Sequence, residues 1–213
     1  MTPDDRRGWR RFLIGIAVMG VIGLSFVGGS PIYIAKGVQG RVVDADTGGP
    51  LSGVVVVAEW PKHGGLLHPT TLGVFALQEA ESDADGRYAV PGWGPRLRGR
   101  GTPEWDRPGL RFFKAGYVDP TLNNAFPGSP WDVVLRSDWD GKTVPLQRRR
   151  DNTRSAEGWD PTVRGFHTYL GRLEIMDIDV RKILPTAVQA LQKAKSNTAS
   201  SNELGETAEG AEQ

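Results

Sequence analysis

The 213-residue chain contains no cysteine. This absence excludes disulfides, thiolate zinc sites, cysteine-held iron–sulfur clusters, a catalytic thiol and a lipid-modified cysteine. An excess of charge is also lacking, because 26 Lys and Arg face 25 Asp and Glu and the net charge is +1. Such a balance provides no general attraction for nucleic acid. We therefore expect no nucleic-acid partner.

Turn-forming residues are abundant, with 28 Gly and 15 Pro. They indicate many turns and favour a β-rich fold over a helical bundle. The length suits one domain with attachments and leaves little room for a two-domain enzyme.

One long apolar run lies near the amino terminus. Residues 12–35 carry no charge and follow four arginines at positions 6 to 11. Roughly 20 apolar residues span a hydrocarbon core, and arginines before the span predict a cytoplasmic amino terminus with the rest exported. Residues 1–35 are therefore predicted to be a cytoplasmic basic stub and a signal-anchor helix.

A cleaved signal peptide is the alternative for the same segment. The most apolar part is short, and small residues follow Val27, as they do near a cleavage site. Cleavage would release the mature chain on the exported side of the membrane. Both interpretations export the downstream domain.

Residues 36–147 consist of short β-branched runs separated by Asp and Gly. Residues 38–44 alternate as a half-buried strand does, whereas the unbroken valines of residues 53–60 predict a strand buried on both faces. Further strands are predicted at residues 74–82, 87–90, 110–117, 131–136 and 142–147. Seven short strands in about 110 residues are typical of an immunoglobulin-type sandwich.

A set of Gly, Asp and Tyr positions within these runs follows a recurring order. The positions are Gly40, Asp44, Thr47, Gly48, Pro50, Leu51, Gly53, Val54, Asp85, Gly86, Arg87, Tyr88, Gly116 and Tyr117. Their order resembles the carboxypeptidase regulatory-like domain, a transthyretin-like β-sandwich, with one extra residue before Pro50. The resemblance covers about half of the chain, residues 36–147.

The segments EWPKHGG, PGWGP and FFKAGY look like a group of exported proteobacterial proteins, which implies a Gram-negative envelope protein. The resemblance thus implies that the anchor lies in the bacterial inner membrane with the downstream domain in the periplasm, or that a cleaved chain is secreted into the periplasm. The resemblance does not imply carboxypeptidase activity. Zinc carboxypeptidases of that family carry a His-x-x-Glu pair in a separate catalytic domain, and no histidine of this chain has Glu at that spacing. We expect no catalytic residue, no cofactor and no metal.

A metal-dependent hydrolase is a less favoured alternative. His63 and His68 share a Gly- and Pro-containing loop, and they would form a metal site if Glu79 or Glu81 approached. Two histidines on a flexible loop without an identified third ligand are more often solvated.

Two other motifs are incomplete. Residues 44–46 and 83–86 resemble the start of a calcium loop but lack its full spacing. Residues 141–143 read Gly-Lys-Thr, yet Arg136 stands where a phosphate-binding loop needs its first Gly. Turns between strands explain all three segments.

Residues 91–109 form an insertion rich in tryptophan and arginine. Aromatic rings stack on sugars, and guanidinium groups hold phosphate or carboxylate, so the insertion is a candidate site for an anionic glycan or lipid headgroup. The candidate residues are Trp93, Arg96, Arg98, Arg100, Trp105 and Arg107. Alternatively, the arginines keep the loop solvated while each tryptophan packs back onto the domain.

Residues 148–195 are predicted to be a helical appendage. Val163, Phe166, Leu170 and Leu173 recur at helical spacing, and a second short helix has its proline in the first turn. Such faces need a partner. We favour the sandwich itself over self-association or another envelope protein. The acidic residues 196–213 are predicted to be disordered.

These features together predict a non-enzymatic, membrane-tethered periplasmic scaffold or recognition module. Its predicted partners are the membrane, through residues 12–35, and an envelope protein, a glycan or a lipid headgroup. The first alternative is an anionic glycan or lipid-headgroup binding module that uses residues 91–109.

Overall fold

The computed structural model describes residues 15, 32–64, 70–97, 102–103, 108–124, 132–150 and 159–209. The described part of the chain is mainly β, as predicted. The strands are β1 (Ile32–Ala35), β2 (Val38–Asp44), β3 (Val55–Gly64), β4 (Thr70–Glu81), β5 (Arg87–Val90), β6 (Trp93–Leu97), β7 (Thr102–Pro103), β8 (Gly109–Phe113), β9 (Thr121–Leu122), β10 (Val134–Leu135) and β11 (Lys142–Leu146). The helices are α1 (Pro161–Ile175), α2 (Val180–Ile183) and α3 (Pro185–Glu209).

The described strands form three sheets. In sheet A, β1 lies between parallel β10 and antiparallel β6. In sheet B, β2 lies between parallel β11 and antiparallel β5. Sheet C has the order β4-β3-β8-β9, with β7 also paired to β3.

Sheets A and B meet where the chain passes from β1 to β2 and from β5 to β6. Gly37 lies at the first passage and Gly92 at the second. A Cβ at position 37 would clash with the backbone oxygen of Val90, and a Cβ at position 92 with that of Ala35. Glycine therefore allows the two backbones to approach closely. As a result, both sheets contribute to one layer opposite sheet C.

Strand β3 is buried on both faces, which confirms the prediction from its valines. Val54, Val56, Ala58 and Trp60 belong to a first core shared with sheets A and B. Val55 and Val57 belong to a second core shared with the helices. The structure is therefore three layers deep, with sheet C in the middle.

The helices pack on the outer face of sheet C. Phe166 of α1 stacks on Phe113 of β8 with 4.2 Å between ring centroids. The residues predicted at helical spacing in α1 are all buried in this core. Asp160 caps α1 by accepting a hydrogen bond from Thr162 N at 2.6 Å. The prediction that the sandwich partners the helices is confirmed.

Two predicted boundaries are corrected by the structure. Ile32–Ala35 is a strand and not the end of an anchor helix, because Tyr33 and Ala35 alternate into the first core. Helix α3 continues to Glu209, although residues 196–213 were expected to be disordered. Its first turns are docked through Ala187 and Leu191, and extending an existing helix is far easier than starting one.

The predicted anchor lies almost entirely outside the described residues, since only residue 15 and residues 32–35 of it are described. Within the described ranges, no helix is long and apolar enough to cross a membrane.

The start of α3 is bonded to the sheet. The Glu79 carboxylate on β4 accepts hydrogen bonds from Thr186 N at 2.7 Å and Ala187 N at 2.9 Å. The first N–H groups of a helix have no acceptor within the helix, and a negative charge there is favourable. A residue on a strand therefore caps this helix.

We expect Glu79→Ala to lower the free energy of unfolding by about 1–3 kcal/mol, because it removes two hydrogen bonds to a charged acceptor. Urea denaturation measures the change. Glu81→Ala is the matched control, as it lies on the same face of β4 and is exposed. Its expected effect is within about 0.5 kcal/mol. Equal losses in the two variants would contradict the capping role.

Candidate functional site

The insertion predicted to bind a ligand starts on β6 and is described only in part. Trp93 and Arg96 lie on β6. The remaining predicted site residues, Arg98, Arg100, Trp105 and Arg107, lie outside the described residues.

Trp93 is a core residue. Its side chain is 7% exposed and packs edge-on against Trp60, with 5.6 Å between ring centroids. Phe75 approaches its other side at 5.2 Å. A ring enclosed in this way cannot stack on a sugar, so at this position the tryptophan packs back onto the domain.

Arg96 lies at the surface above this cluster. Its guanidinium carbon is 5.2 Å from the centroid of the Trp93 ring, and its Nη1 donates a hydrogen bond to Phe75 O at 3.0 Å. A guanidinium has five N–H groups, so this arrangement leaves donors for an anion.

The flanks of the insertion identify the end of the sandwich from which it emerges. Leu97, the last described residue before residues 98–101, pairs with Ile32. Thr102–Pro103 then pair with Lys62 and His63 of β3. The insertion therefore leaves the fold beside the start of β1 and rejoins it beside the end of β3. We call this the entry end, defined by Ile32, Leu97 and Thr102–Pro103.

A polar cluster closes the other end of the sandwich. Asp44 ends β2, and its Oδ1 accepts hydrogen bonds from Asp46 N and Thr47 N, both at 3.0 Å. Tyr117 donates its hydroxyl to Asp44 Oδ2 at 2.8 Å, and Arg148 Nη2 lies 3.1 Å from the Tyr117 hydroxyl oxygen. Asp44, Thr47 and Tyr117 are among the residues that carry the family resemblance, and here they hold a turn to the sheet.

These hydrogen bonds favour the ionised carboxylate. The Tyr117 hydroxyl, followed by the backbone N–H of Thr47, lowers the pKa of Asp44 from 3.8 to about 2. Burial raises the pKa of Tyr117 above its ordinary value, and the bond to Asp44 adds to this effect. The pair is therefore a carboxylate held by a neutral phenol.

Three consecutive arginines line a groove of about 580 Å³ at this end, together with Asp46 and Val118. Each guanidinium has a carboxylate partner: Arg148 with Asp44 at 3.4 Å, Arg149 with Asp160 at 3.7 Å and Arg150 with Asp46 at 3.1 Å. The groove is therefore of mixed charge. This groove was not predicted from the sequence, although three adjacent arginines are a signal for a site.

The residues of the alternative metal and calcium sites either lie outside the described residues or make structural hydrogen bonds. His68 and the His63 side chain lie outside what the structure describes, and Glu79 caps helix α3. Asp83 Oδ1 accepts hydrogen bonds from Asp85 N and Arg87 N at 3.0 and 2.8 Å, as expected for the turn. Among the described residues, no group of three or more His, Asp or Glu side chains is placed to hold a metal ion.

No protein-family model and no curated protein matches this chain. A crystal structure of 3-chlorocatechol 1,2-dioxygenase from Rhodococcus opacus 1CP is 16% identical, with a TM-score of 0.30, over 58% of this chain and 62% of that one. A 9R-lipoxygenase from Cyanothece PCC8801 is 15% identical, with a TM-score of 0.30, over 76% of this chain and 25% of that one. The chain spans less than two thirds of either protein, and likenesses of this extent identify neither fold nor activity.

We expect Tyr117→Phe to destabilise the protein most at neutral pH and least near pH 2. Because the pKa of Asp44 is lowered, its ionised carboxylate stabilises the folded protein at pH values above the ordinary pKa of 3.8. This stabilisation is lost as the pH falls toward about 2. Without the Tyr117 hydroxyl, the pKa of Asp44 rises toward its ordinary value. The carboxylate then contributes less stability at neutral pH, so less is lost on acidification. Urea unfolding of both proteins across the acid range measures the difference.

Tyr88→Phe is the matched control for this prediction. The Tyr88 hydroxyl is buried and has no hydrogen-bond partner among the described residues, and burial, with Asp140 nearby, raises its pKa to about 12. Its loss is expected to be neutral or stabilising with no dependence on acid pH. A destabilisation by Tyr117→Phe that stays constant from neutral pH to pH 2 would show that the hydroxyl does not act through Asp44.

Proposed function

We propose that this chain is a non-enzymatic scaffold or recognition module of the periplasm. The apolar run that ends before Ile32 tethers it to the inner membrane of a Gram-negative bacterium. Tethering keeps the domain at high local concentration beside the membrane, so even weak contacts with an envelope protein become effective.

The observation that supports this proposal most is that only residues 28–31 separate the most apolar part of the run, which ends at Val27, from the first strand of the domain. Strand β1 starts at Ile32, and Tyr33 and Ala35 are already core residues. A flexible linker lets a domain move away from its anchor by a distance that grows with linker length. A membrane span that ends before Ile32 would therefore hold this domain against the membrane surface.

We further propose that the β domain is a transthyretin-like sandwich of the carboxypeptidase regulatory group. The motif glycines support this, since Gly48, Gly53, Gly86 and Gly116 all have φ between 67° and 81°. This backbone region favours glycine over other residues. The Asp44–Tyr117 hydrogen bond joins an early and a late part of the motif. This contact gives a structural reason for finding both residues in the motif.

The alternative function is binding of an anionic lipid headgroup by residues 91–109. The insertion emerges at the entry end, beside the strand that follows the apolar run. Anionic headgroups attract basic segments next to a membrane. With Trp93 in the core, Arg98, Arg100 and Arg107 become the main candidate groups, and a lipid headgroup is favoured over a glycan.

The metal-dependent hydrolase is less favoured than either function. One of the carboxylates available to it, Glu79, is bonded to the first turn of α3. The hydrolase hypothesis requires stoichiometric metal in protein purified without an affinity tag.

We expect the full chain, expressed in a Gram-negative host, to sediment with the inner membrane. Externally added protease should cleave its domain only after the outer membrane is opened, and its intact mass should retain the apolar run. Replacing Arg6, Arg7, Arg10 and Arg11 with Glu should disturb this orientation, because positive charge keeps that end in the cytoplasm.

Replacement of the same four arginines with Lys is the matched control, since it preserves the positive charge. This variant should behave as the wild type does. A domain protected from protease in opened cells would contradict export. A mature mass that lacks the run would replace the anchor with a cleaved signal peptide.

The lipid-headgroup alternative predicts that the triple variant Arg98→Gln, Arg100→Gln, Arg107→Gln binds short-chain phosphatidylglycerol more weakly than the wild type. Each removed cation is expected to contribute about 1 kcal/mol. Tryptophan fluorescence of the detergent-solubilised full chain follows the titration.

The control for this titration removes three exposed cations from the helical layer, by Arg164→Gln, Arg181→Gln and Lys182→Gln. The change in net charge is the same. Equal weakening in both variants would mean that net charge, and not the insertion, determines binding.

A further inference from the structure

The outer face of sheet A carries a set of exposed apolar side chains. Ile32 and Ile34 of β1 point away from the core, while the alternate residues of that strand point into it. Leu97 of β6 is paired with Ile32, and Val134 of β10 is paired with Ile34. Paired residues share a face of a sheet. We call Ile32, Ile34, Leu97 and Val134 the apolar face.

These four side chains are between 37% and 77% exposed and belong to neither of the two cores. A sheet with one face in water normally alternates apolar residues inward with polar residues outward. Strand β1 instead presents apolar residues on both sides. A contiguous exposed apolar patch is typical of an interaction surface.

The position of this face in the chain indicates what covers it. Ile32 is the first residue after residues 12–31, a run of 20 residues without a charge. That length is sufficient to cross a hydrocarbon core. The apolar face therefore begins five residues after Val27, where the most apolar part of the run ends. A span made by that part would bring the face to the membrane surface.

Charged residues border the face in a pattern that suits anionic headgroups. Lys36 directly follows β1 and Arg136 directly follows β10, and both are exposed. Asp132 precedes β10 by two residues and lies at the opposite end of that strand from Arg136. Apolar residues flanked by cations are typical of segments that lie in the interface of an anionic membrane.

We propose that the apolar face lies on the periplasmic leaflet of the membrane that holds the tether. Its four side chains enter the boundary between headgroups and acyl chains, and Lys36 and Arg136 lie among the headgroups. This inference rests on the tether of the proposed function. It gives the domain a fixed orientation, with sheet A on the bilayer and the helical layer facing the periplasm.

The lack of cysteine makes a labelling test direct. The full chain is reconstituted into vesicles of phosphatidylethanolamine and phosphatidylglycerol, with one polarity-sensitive fluorophore attached at Leu97→Cys or at Val134→Cys. Ile175→Cys is the matched control, because Ile175 is 88% exposed and lies on α1 in the helical layer. Circular dichroism and thermal unfolding confirm that each variant is folded.

Each labelled protein is treated with three quenchers. One lipid carries a nitroxide near the headgroup, another carries it deep in the acyl chain, and acrylamide is the neutral aqueous quencher. Labels at positions 97 and 134 should lose fluorescence with the shallow nitroxide, lose less with the deep one, and resist acrylamide. The label at position 175 should respond to acrylamide alone.

Flotation of the vesicles after an alkaline wash separates failure of this inference from failure of the tether. If the chain floats but labels at positions 97 and 134 respond as the label at position 175 does, the apolar face is not on the membrane while the tether stands. If the chain does not float, both proposals are overturned.

Two other occupants of the apolar face would give different results. Shielding from all three quenchers that disappears on dilution would identify a second copy of the chain. Shielding that persists at every dilution would identify another segment of the same chain. Either result overturns the proposal.

Discussion

The structure depends on one strand being apolar on both faces. Strand β3 supplies Val56 and Ala58 to the core under sheets A and B, and it supplies Val55 and Val57 to the core under the helices. A polar residue at any of these positions would be buried without a partner, at a cost of several kcal/mol. Both outer layers are thus attached to the same short segment of chain.

Polar residues at the edges of the layers determine how the layers are joined. Glu79 connects sheet C to the first turn of α3, and Tyr117 connects the end of β8 to the turn after β2. Each group has its hydrogen-bond partners on another element of the fold. Both side chains therefore join separate layers or turns of the domain.

The sequence predicted those features that depend on residues close together in the chain. Four valines in succession indicated burial on both faces, the Asp-Gly pair at 85–86 indicated a turn, and apolar spacing indicated α1. Features that depend on distant residues were not predicted. Trp93 was predicted to bind a ligand because its segment is rich in tryptophan and arginine, but its environment is set by Trp60 and Phe75. The bond from Glu79 to Thr186 spans 107 residues, and no local pattern encodes it.

The pairing of β1 also determines how the domain responds to mechanical force. A pull on the chain before Ile32 acts along the axis of β1, and the hydrogen bonds to β6 and β10 lie across that axis. Such a load shears the bonds together instead of unzipping them in turn. Tension from the amino-terminal side is therefore resisted by sheet A as a unit before it reaches the other layers.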